Sequence, residues 1–185
     1  MKKLGMFIAT GYEEVEMLAV IDLARRAGIE CDIISVTGEA VVESSHKVRL
    51  VADQLFEEVD PGTYDALVIP GGIPGTPNLG AHEGVCKALR QAAEDGRLVA
   101  AICAAPTVLG KLGLLEGKPA TCYPGMEDEL IGAAKLTDKV VKSGNIITSR
   151  GMGTAIDFGL AIVEYLTGSP EDTKALAKKI VYLDA

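Results

Sequence analysis

The sequence lacks two features that would assign it to a specialised class of protein. No apolar run approaches the roughly 20 residues that a membrane-spanning helix needs, so we expect no membrane partner. Basic residues are not in excess either, because 18 lysines and arginines stand against 26 aspartates and glutamates, which gives a net charge of −8. Nucleic-acid binding depends on clustered basic side chains, so nucleic acid is not an expected partner.

Cysteine and histidine are also sparse, which bears on metals and disulfides. The four cysteines form no C-x-x-C pair, and the two histidines, His46 and His82, are far apart in sequence. We therefore expect no metal site. A chain of 185 residues, of which 48% are hydrophobic, can build a core without disulfides. The N-terminal MKKLGMFIAT is interpreted as a buried strand and not as a signal peptide, so the expected location is the cytoplasm.

What the chain does contain is a regular alternation of two patterns. Buried strands are predicted in KLGMFIA, ECDIISV, YDALVIP and RLVAAIC. Helices are predicted in EEVEMLAVIDLARRAG, HEGVCKALRQAAEDG, AAPTVLGKLGLL, TAIDFGLAIVEYLTG and SPEDTKALAKKI. The strands are continuous Val, Ile and Leu runs, which is typical of a parallel sheet covered on both faces. The sequence therefore predicts one α/β sandwich domain over residues 1–185.

Finer details of this pattern are also predicted. The segments AVVES and KVRLVAD favour a short hairpin, and KVVKSGNIITS favours two strands joined at SGN. Thr154 and Asp157 have the spacing of a capping box at a helix start, and Gly168 ends that helix. Ser169 caps the last helix, with Pro170 in its first turn.

Cys103 lies where a predicted strand ends and a helix begins, in Ala-Ile-Cys-Ala-Ala. Small residues on both sides suit a sharp turn that exposes a nucleophile. The N-terminus of the following helix would favour a thiolate and lower the pKa of the cysteine. A buried cysteine that acts only as a small apolar side chain explains the position equally well. The position alone leaves both interpretations open.

Glu16 is the first candidate partner for Cys103. Apolar residues stand 3, 4, 7, 8 and 11 positions after it, so the carboxyl shares the buried face of its helix. A buried carboxylate is costly unless it is paired or protonated, and a protonated Glu16 could donate a hydrogen bond to a thiolate. The alternative is an ordinary acidic residue in the first turn of a helix.

Gly71 and Gly72 follow the strand ALVIP, at the same edge of the predicted sheet. A glycine pair lets backbone N–H groups approach a substrate closely, as an oxyanion site requires. A simple tight turn is the alternative. The next segment, GGIPGTPNLG, lacks the Lys-Ser/Thr of a phosphate-binding loop, so no nucleotide cofactor is expected.

Four motifs together, GYEEVEM, LVIPGG, AAICAAPTVL and TSRGMGTAIDFGLAIVEYLTG, resemble the ThiJ/PfpI superfamily in its DJ-one branch, and within it the bacterial proteins. The resemblance runs from about Lys3 to Leu183. It implies a flavodoxin-like three-layer sandwich with a mostly parallel central sheet, related to class I glutamine amidotransferases, and usually a homodimer. It also implies that Cys103 is the reactive cysteine and Glu16 the protonated carboxylate beside it.

The resemblance implies roles for further residues. Gly71 and Gly72 would be backbone donors at the site, and Arg26 would bind an anion or oxidised sulfur near a dimer interface. Ala104 stands where the protease-like branch has a histidine, so a Cys-His peptidase is not expected. Tyr123 stands where human-type proteins have a histidine, and His46 where relatives often have arginine. We count Ala104 and Tyr123 among the substrate-binding residues, and any acid–base work falls to Glu16, Tyr123 or water.

Two functions follow from the resemblance. One is a cofactor-free glyoxalase or deglycase, in which Cys103 acts on methylglyoxal, related reactive aldehydes or their adducts. The other is a non-enzymatic sensor or chaperone in oxidative stress, in which Cys103 is oxidised to a sulfinic acid that Glu16 stabilises. The sequence does not separate them. Cys122 is a possible secondary reactive thiol, and thiamine synthesis has no support beyond the superfamily name.

Overall fold

Strands and helices alternate along the computed structural model, which describes residues 1–182. The strands are β1 (Lys3–Ile8), β2 (Glu30–Ser35), β3 (Val41–Glu43), β4 (Arg49–Val51), β5 (Gln54–Leu55), β6 (Ala66–Ile69), β7 (Leu98–Ile102), β8 (Pro119–Ala120), β9 (Ala134–Lys135), β10 (Val140–Ser143) and β11 (Ile146–Ser149). The helices are α1 (Glu14–Arg26), α2 (Gly75–Ala81), α3 (Glu83–Glu94), α4 (Pro106–Lys111), α5 (Ala155–Thr167) and α6 (Pro170–Lys179). Leu183, where the sequence resemblance ends, lies outside the described residues.

Seven of the strands form one sheet in the order β10–β11–β7–β6–β1–β2–β5. Neighbouring strands are parallel, except that β10 runs antiparallel to β11. The β3–β4 hairpin and the β8–β9 pair form two small separate sheets. The predicted α/β class with a mostly parallel central sheet is therefore confirmed.

Alternate residues of the sheet face two different helical layers. In β1, Leu4, Met6 and Ile8 belong to an apolar cluster that includes buried residues of α1, α5 and α6. Phe7 belongs to the opposite cluster, with buried residues of α2, α3 and α4. Because both faces are covered, the strands are apolar along their whole length, which explains their continuous Val, Ile and Leu runs.

The central strands bring three loops to one edge of the sheet. The register aligns Ile69 of β6 with Ala101 of β7, and Ile102 of β7 with Ser149 of β11. The segments that follow these strands therefore begin side by side, at the carboxyl ends where open α/β sheets place their sites. Gly71, Cys103 and Gly151 all lie in these segments.

Several details differ from the sequence predictions, among them the short strands β5, β8 and β9, which were not predicted. Helix α2 was not predicted, because its sequence GTPNLGA is rich in turn-forming residues and has no helical apolar pattern. The Thr154–Asp157 capping box was wrong: Thr154 makes no side-chain cap and instead bonds Ser149 and the carbonyl of Gly151. The Ser169 cap was right, since its hydroxyl accepts the N–H of Asp172 at 3.2 Å. Among residues 1–182, no helix has the length and apolar character required to cross a bilayer.

Candidate active site

Cys103 lies in a strained turn between β7 and α4. Its φ of 65° is in the left-handed region, which non-glycine residues seldom adopt. Two backbone hydrogen bonds hold this conformation: Cys103 N–H donates to Ser149 O at 3.0 Å, and Tyr123 N–H donates to Cys103 O at 2.8 Å. Strain of this kind persists where the surroundings enforce it, and it is concentrated at functional sites. The side chain is half-buried.

Glu16 reaches this turn from the first turn of α1. Only 1% of the residue is exposed, and its Oε2 accepts the N–H of Gly71 at 2.8 Å. Glu13 is the N-cap of the helix, and its carboxylate accepts the N–H of Glu16 at 2.8 Å. The Glu16 Oε1 atom is buried without a hydrogen-bond partner among the described residues. The carboxyl is thus fixed through one oxygen, and the other is available to carry a proton.

Glycine is required at positions 71 and 72 for steric reasons. A Cβ atom on Gly71 would lie 2.6 Å from the Cys103 Cβ and 2.7 Å from Glu16 Oε2. Gly72 has a φ of 94°, and a Cβ atom there would lie 2.5 Å from the Glu13 nitrogen. The glycine pair therefore lets the loop after β6 lie directly against both the cysteine and the glutamate.

Burial changes the ionisation of both side chains. Desolvation raises the pKa of Glu16 to about 7, which keeps the carboxyl protonated through much of the range below neutrality. Desolvation also raises the pKa of the Cys103 thiol to about 12, and the ionised Glu16 beside it adds to the rise. The contribution of the Glu16 charge disappears when its carboxyl is protonated, because a neutral carboxyl can donate a hydrogen bond to the sulfur. The ionisation of each group therefore depends on that of the other.

Two backbone donors act on the sulfur in the opposite direction. The N–H groups of Gly72 and Ala104 interact with Cys103 and lower the pKa of its thiol. The expectation that Gly71 would donate to the substrate needs correction, because Glu16 already accepts its N–H. Gly71 orients the carboxyl, whereas Gly72 and Ala104 are the donors beside the Cys103 sulfur.

The structure brings Tyr123 to the site but not Arg26. Gly151 lies next to both Tyr123 and Cys103: a Cβ atom on it would be 3.5 Å from the Tyr123 ring and 3.9 Å from the Cys103 sulfur. Tyr123 is half exposed, so its ring lies at the opening of the site. Arg26 is ten residues beyond Glu16, which places it about 15 Å further along α1. There it pairs with Asp22 at 2.7 Å, so its predicted anion-binding role has no contact with Cys103 in one chain.

The other cysteines have environments that suit structural roles. Cys31 and Cys122 are buried, and all four cysteines are unpaired. Burial raises the pKa of Cys31 to about 12 and that of Cys122 to about 11. Cys122 is fully buried, whereas Cys103 is partly exposed, so the structure does not favour Cys122 as a second reactive thiol. Cys86, on α3, is partly exposed, and burial raises its pKa as well.

Two residues of the site were not singled out from the sequence. Gly151 is one, although it lies in a segment that follows a predicted strand. Glu13 is the other, and the sequence could have indicated it. Glu13 stands three positions before Glu16, which is the spacing between the N-cap of a helix and the residue whose N–H it accepts.

The fold and this site together define a class: an α/β sandwich with a cysteine in a strained turn at the sheet edge, and a buried carboxyl beside it. The comparisons identify the class. The pattern of the DJ-1/PfpI family matches residues 2–165, and the chain belongs to this family.

Similar proteins cover nearly the whole chain. Protein dj-1beta of Drosophila melanogaster is 40% identical over 178 residues, which is 95% of each chain. The glutathione-independent glyoxalase DJR-1.2 of Caenorhabditis elegans is 35% identical over 170 residues, which is 91% of this chain and 89% of that protein. The structure of oxidized DJ-1 from Toxoplasma gondii superimposes with a TM-score of 0.95 at 35% identity, over 99% of this chain and 100% of that one.

Proposed function

We propose that the protein is a cofactor-free glyoxalase or deglycase that acts on methylglyoxal and related reactive aldehydes or their adducts. The observation that supports this proposal is the buried Glu16 carboxyl beside Cys103, with an Oε1 atom that has no hydrogen-bond partner among the described residues. The name of the similar C. elegans protein, a glutathione-independent glyoxalase, supports the same reaction class. The reaction needs a nucleophile, a proton carrier and donors for a developing oxyanion.

The first step is addition of the Cys103 sulfur to the aldehyde carbon of methylglyoxal. The S–H bond breaks as the C–S bond forms, and the electron pair of the carbonyl moves to its oxygen. Ionised Glu16 takes the thiol proton and passes it to that oxygen, which gives a hemithioacetal and leaves Glu16 ionised. The N–H groups of Gly72 and Ala104, which lie at the sulfur, are placed to donate to that oxygen.

Glu16 then transfers a proton between the two carbons. Ionised Glu16 removes the hydrogen on the sulfur-bearing carbon, and the enediol that results is reprotonated on the neighbouring carbon. The product is a thioester of lactate on Cys103. Water attacks the thioester carbonyl, the C–S bond breaks, and lactate leaves as the thiol is restored. One carbon is oxidised and its neighbour reduced, so the overall reaction adds only water and needs no external oxidant or cofactor.

The test is lactate formation from methylglyoxal without glutathione or added metal. Cys103→Ser and Glu16→Gln should each lower the rate by about 100-fold or more, since each removes one chemical group that the reaction uses. Cys86→Ser is the matched control, because Cys86 is also partly exposed but lies on α3, outside the site. Full activity in Cys103→Ser would refute the proposal.

A second candidate function is oxidation sensing through Cys103. Its supporting observation is the same environment, because the free N–H groups and the proton of Glu16 would also stabilise a sulfinate. After mild peroxide treatment, peptide mass spectrometry should find two added oxygen atoms on Cys103 alone. Glu16→Gln should shift the product towards other oxidation states. Comparable oxidation of Cys86, the other partly exposed cysteine, would argue against this function.

We further propose a second copy of the chain as a partner and the cytoplasm as the location. Large apolar side chains are exposed around one cavity of about 730 Å³ at the contact of α1 and α5, among them Val15, Leu18, Met152 and Ile156. An exposed apolar surface of this kind is typical of an interface, and the resemblance implies a homodimer. Four unpaired cysteines are consistent with a reducing compartment.

A further inference from the structure

Tyr123, at the opening of the site, is the first residue of a tight turn next to Cys103. We call residues 123–127, with the sequence Tyr-Pro-Gly-Met-Glu, the tyrosine turn. A proline stands second and Gly125 third with a φ of 91°, which is the pattern of a type II turn. The N–H of Met126 donates to the carbonyl of Tyr123 at 3.1 Å and closes the turn. The turn begins at the site, because Tyr123 N–H donates to Cys103 O at 2.8 Å.

The carboxylate of Glu127, at the end of the tyrosine turn, connects this turn to Arg150. Its Oε2 atom accepts the N–H of Gly125 at 2.7 Å, which holds the middle of the turn. Its Oε1 atom lies 3.6 Å from Nη2 of Arg150. The side chain of Glu127 is 28% exposed and that of Arg150 19% exposed, so the pair is largely removed from water. Among residues 1–182, this is the only ion pair recorded for either residue.

Arg150 stands in the segment that follows β11, between two residues that lie against Cys103. The carbonyl of Ser149 accepts the Cys103 N–H at 3.0 Å. A Cβ atom on Gly151 would lie 3.9 Å from the Cys103 sulfur and 3.5 Å from the Tyr123 ring. The backbone of Arg150 is therefore held at the site, while its side chain reaches the opposite end of the tyrosine turn.

The guanidinium of Arg150 is unfavourable for folding in this place. Its Nη1 atom is buried and has no hydrogen-bond partner among the described residues. The atom is enclosed within one chain, so this observation does not depend on a second copy. Buried polar groups are nearly always paired, and an apolar side chain of similar size would avoid the cost of removing this N–H from water. Stability therefore does not explain the arginine, whereas its contact with the tyrosine turn offers a functional reason.

We propose that Arg150 is a positioning residue for the Cys103 site. Through Glu127 it holds the tyrosine turn, so that the Tyr123 ring stays at the opening where the aldehyde enters. This inference rests on the proposed function, because Tyr123 is counted there among the substrate-binding residues. Arg150 acts through the turn and not on the reacting atoms. Its loss should therefore impair substrate binding more than the chemical step.

A fluorescent reporter in the tyrosine turn tests the positioning directly. The chain contains no tryptophan, so Tyr123→Trp introduces a single one, at a position that is half exposed. In this background, Arg150→Met and Glu127→Gln should each raise the acrylamide quenching constant by about twofold or more, because the turn opens more often. Lys111→Met is the matched control. It removes the more exposed ion pair to Glu129, two residues beyond the turn, and should leave the quenching unchanged.

A double variant and the kinetics separate positioning from a merely structural role. Quenching in Arg150→Met/Glu127→Gln should not exceed that of the more affected single variant, because the two side chains lose the same contact. In the chain with its native Tyr123, Arg150→Met should raise KM for methylglyoxal by about threefold or more. Its kcat should change by less than about twofold, because the hydrogen bond from Gly71 to Glu16 is untouched.

Four results would overturn the proposal. They are equal quenching in Arg150→Met and the reporter parent, an equal rise in Lys111→Met, additive effects in the double variant, and a lower kcat at unchanged KM. Circular dichroism shows whether each variant is folded. Glu127→Gln keeps the size of the side chain and still provides the test if Arg150→Met does not fold. The fluorescence requires no turnover, so it tests the positioning even in a chain without methylglyoxal activity, a result that would refute only the proposed function.

Discussion

At the scale of single residues, the candidate site depends on an arrangement that is unfavourable for folding. Cys103 adopts a left-handed backbone conformation, and Glu16 buries a carboxyl group that would be better solvated at the surface. The packing of the surrounding core offsets both of these unfavourable free energies. Both side chains lie directly beside Gly71. An arrangement of this kind is expected where chemistry, and not stability, determines the residues.

Glu16 should make the stability of the protein depend on pH. The pKa of its carboxyl is raised from 4.5 in the unfolded chain to about 7 in the folded protein, chiefly by burial. Between these values the folded state binds the proton more tightly, so its free energy of unfolding should fall as pH rises through the window, by about 3 kcal/mol in all. Glu16→Gln removes this contribution.

Urea unfolding of wild type and Glu16→Gln at pH 5 and pH 7.5, followed by circular dichroism with a chelator present, measures the effect. The wild type should lose stability relative to the variant as pH rises. A constant difference between the two proteins at both pH values would contradict the assignment of the raised pKa to Glu16.

Gly71→Ala should disable the site through sterics alone. The added methyl group would lie 2.6 Å from the Cys103 Cβ and 2.7 Å from Glu16 Oε2, so one of the two must move. We expect activity on methylglyoxal to fall by at least about tenfold, and stability by about 1–3 kcal/mol. Gly153→Ala is the matched control, because a Cβ atom at that position has no neighbour within 4 Å. Equal activity in the two variants would mean that the close approach of Gly71 is not needed.

At the scale of elements, the long helices and strands were predictable because each carries its own periodic pattern. Helix α1 is an example, since its apolar spacing both defined the helix and placed Glu16 on the buried face. Helix α2 was not predictable, because its sequence is rich in turn-forming residues and has no helical apolar pattern. The donors of the site were only partly predictable. Whether Gly71 or Gly72 faces the sulfur depends on a contact with Glu16, 55 residues away.

The last helix allows a test of local stabilisation. The hydroxyl of Ser169 accepts the N–H of Asp172 at the start of α6. Ser169→Ala should lower the free energy of unfolding by about 1 kcal/mol, whereas Ser169→Asp should retain the cap and the stability. Urea unfolding curves of the three proteins measure this. A similar loss in both variants would show that the hydroxyl acts in some way other than as a cap.

At the scale of the whole molecule, the main unexplained surface is the apolar one around α1 and α5. Val15 is 46% exposed and Leu18 43%, although the opposite side of the same helix is fully packed. A helix that is apolar on two sides is typical of a buried helix, and in one chain α1 is only half buried. Association of two copies through this surface would complete its burial.

Leu18→Asp should therefore weaken association of the chain. A charge placed in an apolar interface must be desolvated without a partner, so we expect the dimer dissociation constant to rise by at least about tenfold. Light scattering coupled to size exclusion, over a series of protein concentrations, measures the mass. Ile131→Asp is the matched control, because Ile131 is 55% exposed but lies outside the residues that surround this cavity. A monomeric wild type, or equal dissociation of both variants, would leave the apolar surface to a different partner.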